Sequence, residues 1–227
     1  DLKNLPSWWQ QALEKNGLFL KPNDSNASKG VIKFFWNKEN HTLIGSSSFF
    51  DKSLTIRFED RPTLNQIIEI WRKYSKSYNG IVIMPNLENK EEFPVSNSST
   101  VFRIITERNN KKVIISSYWV EVPISYRKIA IFDFRGNNLP FIEKLNIHEN
   151  KIFNNWKIFL INKVKTNYID DVLNASLILH KKLPYINSVA WDWIISKNNN
   201  YLLEGNSSYG ILIPQAFCLL SKKYKNK

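Results

Sequence analysis

The stretch Asp192-Trp-Ile-Ile-Ser-Lys-Asn-Asn-Asn-Tyr-Leu-Leu-Glu204-Gly-Asn206 narrows the possible folds of this chain more than any other. Two apolar runs, Ser188 to Ile195 and Tyr201 to Leu203, flank three consecutive asparagines, which predicts strand, loop, strand. With Asn198, Asn199 and Asn200 as the loop, Lys197 faces Tyr201, Ile194 faces Glu204 and Asp192 faces Asn206. Side chains alternate along a strand, so Glu204 and Asn206 share a face. Directly opposed residues share a face too, and Asp192 joins them. Three oxygen ligands then sit on one patch of sheet, a donor set that suits magnesium completed by water and phosphate. Polar residues also close many ordinary hairpins, so the triplet takes its meaning from the rest of the chain.

At 227 residues, 43% of them apolar and including 14 Phe, 9 Tyr and 8 Trp, the chain can build one large domain or two lobes with their own cores. Seven glycines argue against a long flexible linker. The formal charge of +12 favours anionic partners such as nucleotides, nucleic acid or anionic polymers. The basic residues are dispersed, however, and the one dense group, Lys222, Lys223, Lys225 and Lys227, reads as a solvated terminus, so nucleic-acid binding is disfavoured. Cys218, in the apolar run Ala216 to Leu220, has no partner for a disulfide within the chain and reads as a structural thiol. His41, His148 and His180 lack zinc spacing. No apolar run is long enough to span a bilayer and no signal-peptide pattern opens the chain, so the expected compartment is the reducing cytoplasm.

A helix is predicted over residues 6–15 with Ser7 as cap, then a short strand Leu18-Phe19-Leu20-Lys21-Pro22. The small-residue loop Asn23 to Gly30 leads into an apolar strand from Val31 to Trp36, making a hairpin with Lys29 and Lys33 near its tip. A strand is expected near Ser53 to Phe58. Leu64, Ile67, Ile68, Trp71 and Tyr74 form one helical stripe. Ile81-Val82-Ile83-Met84, bounded by Pro85, reads as a strand buried on both faces, where two lobes would hinge. Further strands are predicted at Thr100 to Arg108, Lys112 to Val122 and Arg127 to Phe134. A helix follows between Tyr168 and Leu183, then the hairpin, and a C-terminal helix after Pro214 within Ile211 to Leu220. Strands and helices mix without strict alternation, which predicts the α+β class. Arg103 falls mid-strand among apolar neighbours, where a charge needs a partner such as Glu121.

Three pieces in this order resemble the ATP-grasp fold, and most of all its branch associated with sugar transfer and surface-polysaccharide biosynthesis. They are Leu18-Phe-Leu-Lys21-Pro22 with the loop to Gly30, the segment Ser98-Ser99-Thr100-Val101-Phe102-Arg103-Ile104-Ile105-Thr106, and the Asp192…Glu204-Gly-Asn206 hairpin. The resemblance covers roughly residues 15–215. It implies two α+β lobes, 1–84 carrying the lysine strand and lid loop and 85–227 carrying the metal hairpin, with the nucleotide between them. It implies that Lys21 contacts ATP phosphates beneath the lid, with Lys29 and Lys33 beside it. The adenine slot would fall on Met84-Pro85-Asn86-Leu87, Pro85 offering its carbonyl and Leu87 its amide; Glu91, or after it Glu88, would take the ribose. Arg103 would address the transferring phosphoryl group, and Asp192, Glu204 and Asn206 would hold Mg2+.

The activity implied is an ATP- and Mg-dependent ligase that joins a carboxylate to an amine through an acylphosphate, on a glycan or small-molecule acceptor. Two departures stand against it. Family members carry a further domain before the lysine strand, where only 20 residues precede Lys21, and the next strand commonly offers a second arginine where Tyr118-Trp119-Val120-Glu121 stands. Arg127 and Arg135 are the candidates to substitute for it. The alternative expectation is therefore a nucleotide-binding subunit that serves a partner protein supplying the missing region. A basic module for polyanions, resting on charge alone, is the third.

Overall fold

The computed structural model describes residues 7–23, 30–47, 53–76, 80–89, 91–94, 96, 99–110, 112–125, 128–134, 150–163, 167–196 and 199–209. The chain is α+β, with two antiparallel sheets and, among the described residues, four helices. It divides into two compact units, Asp1–Leu87 and Glu88–Lys227. The division falls after Leu87 rather than Met84. The Asn86 amide donates to the Gly17 carbonyl at 2.8 Å, and the Asn86 side chain donates to the Asn16 carbonyl, so the residues after Met84 belong to the first sheet.

The first unit contains α1 (Trp8–Lys15), β1 (Leu18–Pro22), β2 (Ile32–Asn37), β3 (Thr42–Ser46), β4 (Leu54–Arg57), α2 (Leu64–Ser75) and β5 (Ile81–Pro85). Its strands run in the order β4-β3-β2-β1-β5. Leu18, Leu20, Ile32, Phe34, Trp36 and Leu43 form the face that packs with Leu13 of α1 and Ile67, Ile68 and Trp71 of α2. Each such side chain, fully buried, contributes roughly 1.5–3 kcal/mol. Thr63 caps α2 with a capping box, its hydroxyl accepting from the Gln66 amide while Gln66 accepts from the Thr63 amide. Ser7 makes no side-chain cap on α1, contrary to expectation, because its backbone is already helical. The ends of segment 24–29, which lies outside the described residues, are tied down: Trp71 Nε1 donates to the Gly30 carbonyl at 2.8 Å, and the Asn23 amide donates to the Gly80 carbonyl at 2.9 Å.

Two expectations need correction in this unit. Among the described residues β5 is an edge strand paired only with β1, and its residues are half-buried, so its apolar run does not mark a strand buried on both faces. β3 was not anticipated, because Gly45 and Ser46 weaken its strand signature. It is held by pairing to β2 and β4 on both sides, and a Cβ on Gly45 would come within 3.2 Å of the Phe34 ring.

The second unit contains β6 (Val101–Asn109), β7 (Lys112–Ser125), β8 (Lys128–Phe132), α3 (Lys151–Lys163), α4 (Asn167–Lys181), β9 (Ser188–Ile195) and β10 (Asn200–Asn206), with strand order β10-β9-β6-β7-β8. Phe102, Ile104, Val120, Val122, Trp191 and Trp193 pack with Phe153, Trp156 and Leu160 of α3 and Val172 of α4. α3 escaped sequence reading because apolar residues go all round it, leaving no stripe, amid asparagines that read as loop. The expected C-terminal helix, Cys218, the terminal lysines, Arg127 and Arg135 lie outside the described residues.

A buried polar network registers α4 on this sheet. His180 Nε2 donates to the Ile186 carbonyl at 2.8 Å, and its Nδ1 is hydrogen-bonded with the Thr106 hydroxyl at 2.7 Å. Thr106 Oγ1 in turn accepts from Trp191 Nε1 at 2.8 Å, and Trp193 Nε1 donates to Ser176. These bonds pair polar atoms that burial would otherwise penalise, and they hold the two indoles of β9 on the helix side. Period-two alternation then sends Asp192 to the opposite face.

Candidate functional site

On that opposite face one row crosses four strands. Trp119 of β7 pairs with Arg103 of β6, Arg103 with Asp192 of β9, and Asp192 with Glu204 of β10. Two further residues extend the face, Glu121 beyond Trp119 on β7 and Asn206 beyond Glu204 on β10. The expected hairpin register is therefore corrected. Asp192 opposes Glu204, not Asn206, and Asn206 opposes Ala190. Asn200 is already strand, paired with Ile195, and the Ser196 amide donates to the Asn199 carbonyl to close a tighter turn than the three asparagines predict. A bulge between Leu202 and Glu204 inserts one residue. The bulge restores the parity that the shorter turn would have reversed, so Asp192, Glu204 and Asn206 still lie on one face.

The Arg103 guanidinium is held on two sides. Its Nε and one terminal nitrogen donate to the two Asp192 oxygens at 2.5 and 2.6 Å, and its other terminal nitrogen stands 3.3 Å from Glu121 Oε1. The Glu121 contact is an ion pair, so the two hydrogen bonds to Asp192 leave three of the five N–H donors for another acceptor. Trp119 Nε1 donates to the same Glu121 oxygen at 2.9 Å. The Asn206 amide donates to Glu204 Oε1 at 2.9 Å, which turns its carbonyl oxygen elsewhere. The side chains of Asp192 and Glu121 retain only 6% and 16% exposure, so these charges interact in poorly solvated surroundings.

Burial pushes the Asp192 carboxyl up from its ordinary range. Arg103 opposes that shift, and Glu204, within hydrogen-bonding reach, adds to it. Burial also raises Glu121, against the pull of Arg103 and of the Trp119 N–H. For Arg103 burial alone would lower the pKa, but the hydrogen bonds to Asp192 and the charges of Glu121, Asp192 and Glu204 outweigh it and hold the guanidinium charged. Arg103 thus stands in one cluster with the carboxylates of Glu121, Asp192 and Glu204.

Two carboxylates brought side by side need a proton or a cation between them. Among the described residues no group of three or more His, Cys, Asp or Glu side chains could hold a metal ion by itself. Two carboxylates and the Asn206 carboxamide are instead a partial set, which suits a hard cation that takes further ligands from water and phosphate. Asp192 fits this role because each of its oxygens, after accepting from Arg103, keeps a second lone pair.

Gly205 is required between Glu204 and Asn206. It lies opposite Trp191, and a Cβ there would come within 2.8 Å of the indole. Trp191 cannot retreat, since it is buried and bonded to Thr106. Gly205→Ala is expected to cost about 1–3 kcal/mol in urea unfolding, by forcing β10 off the sheet. An unchanged midpoint would show that the strand has room to move.

In the first unit, Phe19 pairs with Lys33 on one side and Met84 on the other, and Lys21 pairs with Val82. Lys21, Lys33 and Met84 thus share with Phe19 the half-buried face that α1 and α2 leave uncovered. Lys33 Nζ lies 5.9 Å from the centre of the Phe19 ring. Pro85 ends β5 opposite Leu18 and Leu87 closes the unit, while Glu88 and Glu91 are exposed in the second unit. Lys29 lies outside the described residues.

Sequence reading singled out Arg103 but not Asp192 as its partner, and it missed the part played by Trp119 and Tyr209. Trp119 and Glu121 are two apart on one strand, which was the available signal. Tyr209, whose ring packs on Ile105, Trp119 and Ala190 and whose hydroxyl meets Ser188, left no signal of any kind. Among the described residues no helix is long and apolar enough to cross a membrane. Searches against protein-family models, curated proteins and solved structures found no match to this chain.

Proposed function

We propose that this chain is an ATP-grasp ligase of the cytoplasm, using Mg2+ and ATP to join a carboxylate to an amine. The observation that carries the reading is the row of Arg103, Asp192 and Glu204 side by side in adjacent strands, with Asn206 bonded to Glu204. When bound there, Mg2+ would neutralise phosphate charge and orient the γ-phosphoryl group.

The chain's own residues do the rest by position and charge. Asp192, Glu204 and the Asn206 carbonyl would hold the metal. Arg103 offers its remaining N–H groups to the transferring phosphoryl oxygens, where a fixed guanidinium stabilises developing charge. Lys21 and Lys33 supply compact positive charge to the phosphates, with Lys29 in the adjoining loop. The backbone of Met84, Pro85 and Leu87 serves the base, and Glu91 the ribose. A substrate carboxylate takes the γ-phosphoryl group as acylphosphate, ADP leaves, and an amine then displaces phosphate to form the amide. The reaction joins an amino acid or similar group to a glycan or small-molecule acceptor.

The test is a calorimetric titration of ATP, with and without Mg2+, into wild type and Lys21→Ala. Mg-dependent binding is expected, and the variant should bind about tenfold to a hundredfold more weakly, the loss of one charge-assisted contact. A folded wild type that takes up no Mg–ATP overturns the reading.

One observation favours a second reading, a nucleotide-binding subunit that completes catalysis only with a partner protein. Arg103 is already shared between two carboxylates, and Glu121 stands where a second cation would help the transfer. ADP release with amino acids and sugars from the isolated chain decides for the ligase; release only after a second protein is added decides for the subunit.

A further inference from the structure

A carboxylate with 16% exposure in the middle of a sheet face costs free energy to ionise, and the mechanism above gives Glu121 no task. We propose that Glu121 is a positioning residue, which with Trp119 locks the Arg103 guanidinium into one orientation beside Asp192. This inference rests on the ligase reading and adds a residue to its machinery.

The argument is geometric. Arginine has a long flexible stem, and a carboxylate on one edge leaves it able to let go and follow an arriving phosphate. Here Asp192 occupies the Nε edge and Glu121 the far terminal nitrogen, so the plane is gripped at two separate points. The second grip is itself anchored. Glu121 Oε1 accepts from Trp119 Nε1 at 2.9 Å and stands 3.3 Å from Arg103 as its ion-pair partner, so one oxygen faces both groups. Trp119 is buried to 1% exposure and packed with Ile105 and Ala190, which makes its N–H a fixed reference. The remaining guanidinium donors are thereby presented before any ligand arrives, and preorganised donors lose nothing to rearrangement on binding.

Glutamine keeps the oxygen that faces Arg103 and its bond from Trp119, so it can replace glutamate in this role while alanine cannot. The experiment is calorimetry of Mg–ATP with wild type, Glu121→Gln, Glu121→Ala and Trp119→Phe, each checked for cooperative melting. Glu121→Gln and Glu121→Ala remove the same charge, so their difference isolates position from electrostatics. Positioning predicts that the glutamine variant stays within about threefold of wild type, while the alanine variant weakens about tenfold. Equal affinities for the two variants, or an alanine variant equal to wild type, overturn the inference while leaving the ligase reading intact. Absence of Mg–ATP binding by wild type overturns both. If the alanine variant does not fold, Trp119→Phe decides alone: weaker binding with Glu121 present supports positioning, and unchanged binding overturns it.

Discussion

Replacing Arg103 by methionine is expected to destabilise the second unit by about 3–5 kcal/mol, the cost of removing one member of a buried ion cluster. Methionine fills much of the same volume, so little of this loss is cavity. What remains is Asp192 and Glu121, both largely buried, with Glu204 beside the first and their shared guanidinium gone. The loss should depend on pH in a direction the shifts dictate. Asp192 and Glu121 have folded-state pKa values raised above their unfolded ones, burial being the largest cause. The folded state therefore holds protons more tightly, and stability falls as pH rises from the ordinary carboxylate range through the raised values. In Arg103→Met the pull of the guanidinium is lost, both values rise further, and the window widens. Urea unfolding should show the variant furthest below wild type near neutrality and closer to it in the acid range. A loss under about 1 kcal/mol at neutral pH would mean that solvent screens the cluster as it does surface pairs.

Changing Asp192 to Asn together with Glu204 to Gln should have the largest effect on ligand binding. Both substitutions keep size and hydrogen-bonding shape, and a glutamine side chain in place of Glu204 can still accept from Asn206. They remove the two charged oxygen donors of the proposed metal site. Affinity for ATP in the presence of Mg2+ should fall at least about a hundredfold, some 2.7 kcal/mol, and the dependence on Mg2+ should vanish. Calorimetry with and without chelator reads both quantities. Retained Mg-dependent binding would place the metal on other residues. Binding to polyanions that falls steeply with salt and ignores Mg2+ and ATP would instead favour a basic binding module, the reading that the +12 charge supports.

Local signals were legible wherever a segment carries its own periodicity. The stripe Leu64, Ile67, Ile68, Trp71 and Tyr74 announced α2, whose cap and end are set within a few residues of chain. The apolar runs around Asp192 and Tyr201 announced β9 and β10. Alternation along those strands also announced that Asp192, Glu204 and Asn206 share a face, a conclusion that survived a wrong register because the error was an even number of residues at Glu204. α3 stayed hidden for the opposite reason. Its apolar residues surround it and show no period, because Ile158 and Ile161 are exposed on the side away from buried Phe153, Trp156 and Leu160.

What the amino-acid order determined by itself was element type and side-chain parity, because both follow from backbone geometry over a few residues. Only tertiary structure decided which strands became neighbours, where the bulge in β10 fell, and that Gly205 must leave room for Trp191. Only it decided that Arg103 would stand between Glu121 and Asp192, residues far apart in the chain. Strand register is chosen by which face the whole sheet can bury under its helices. Here the indoles of Trp191 and Trp193, bonded to Thr106 and Ser176 on the helix side, set β9 and with it the placing of Asp192.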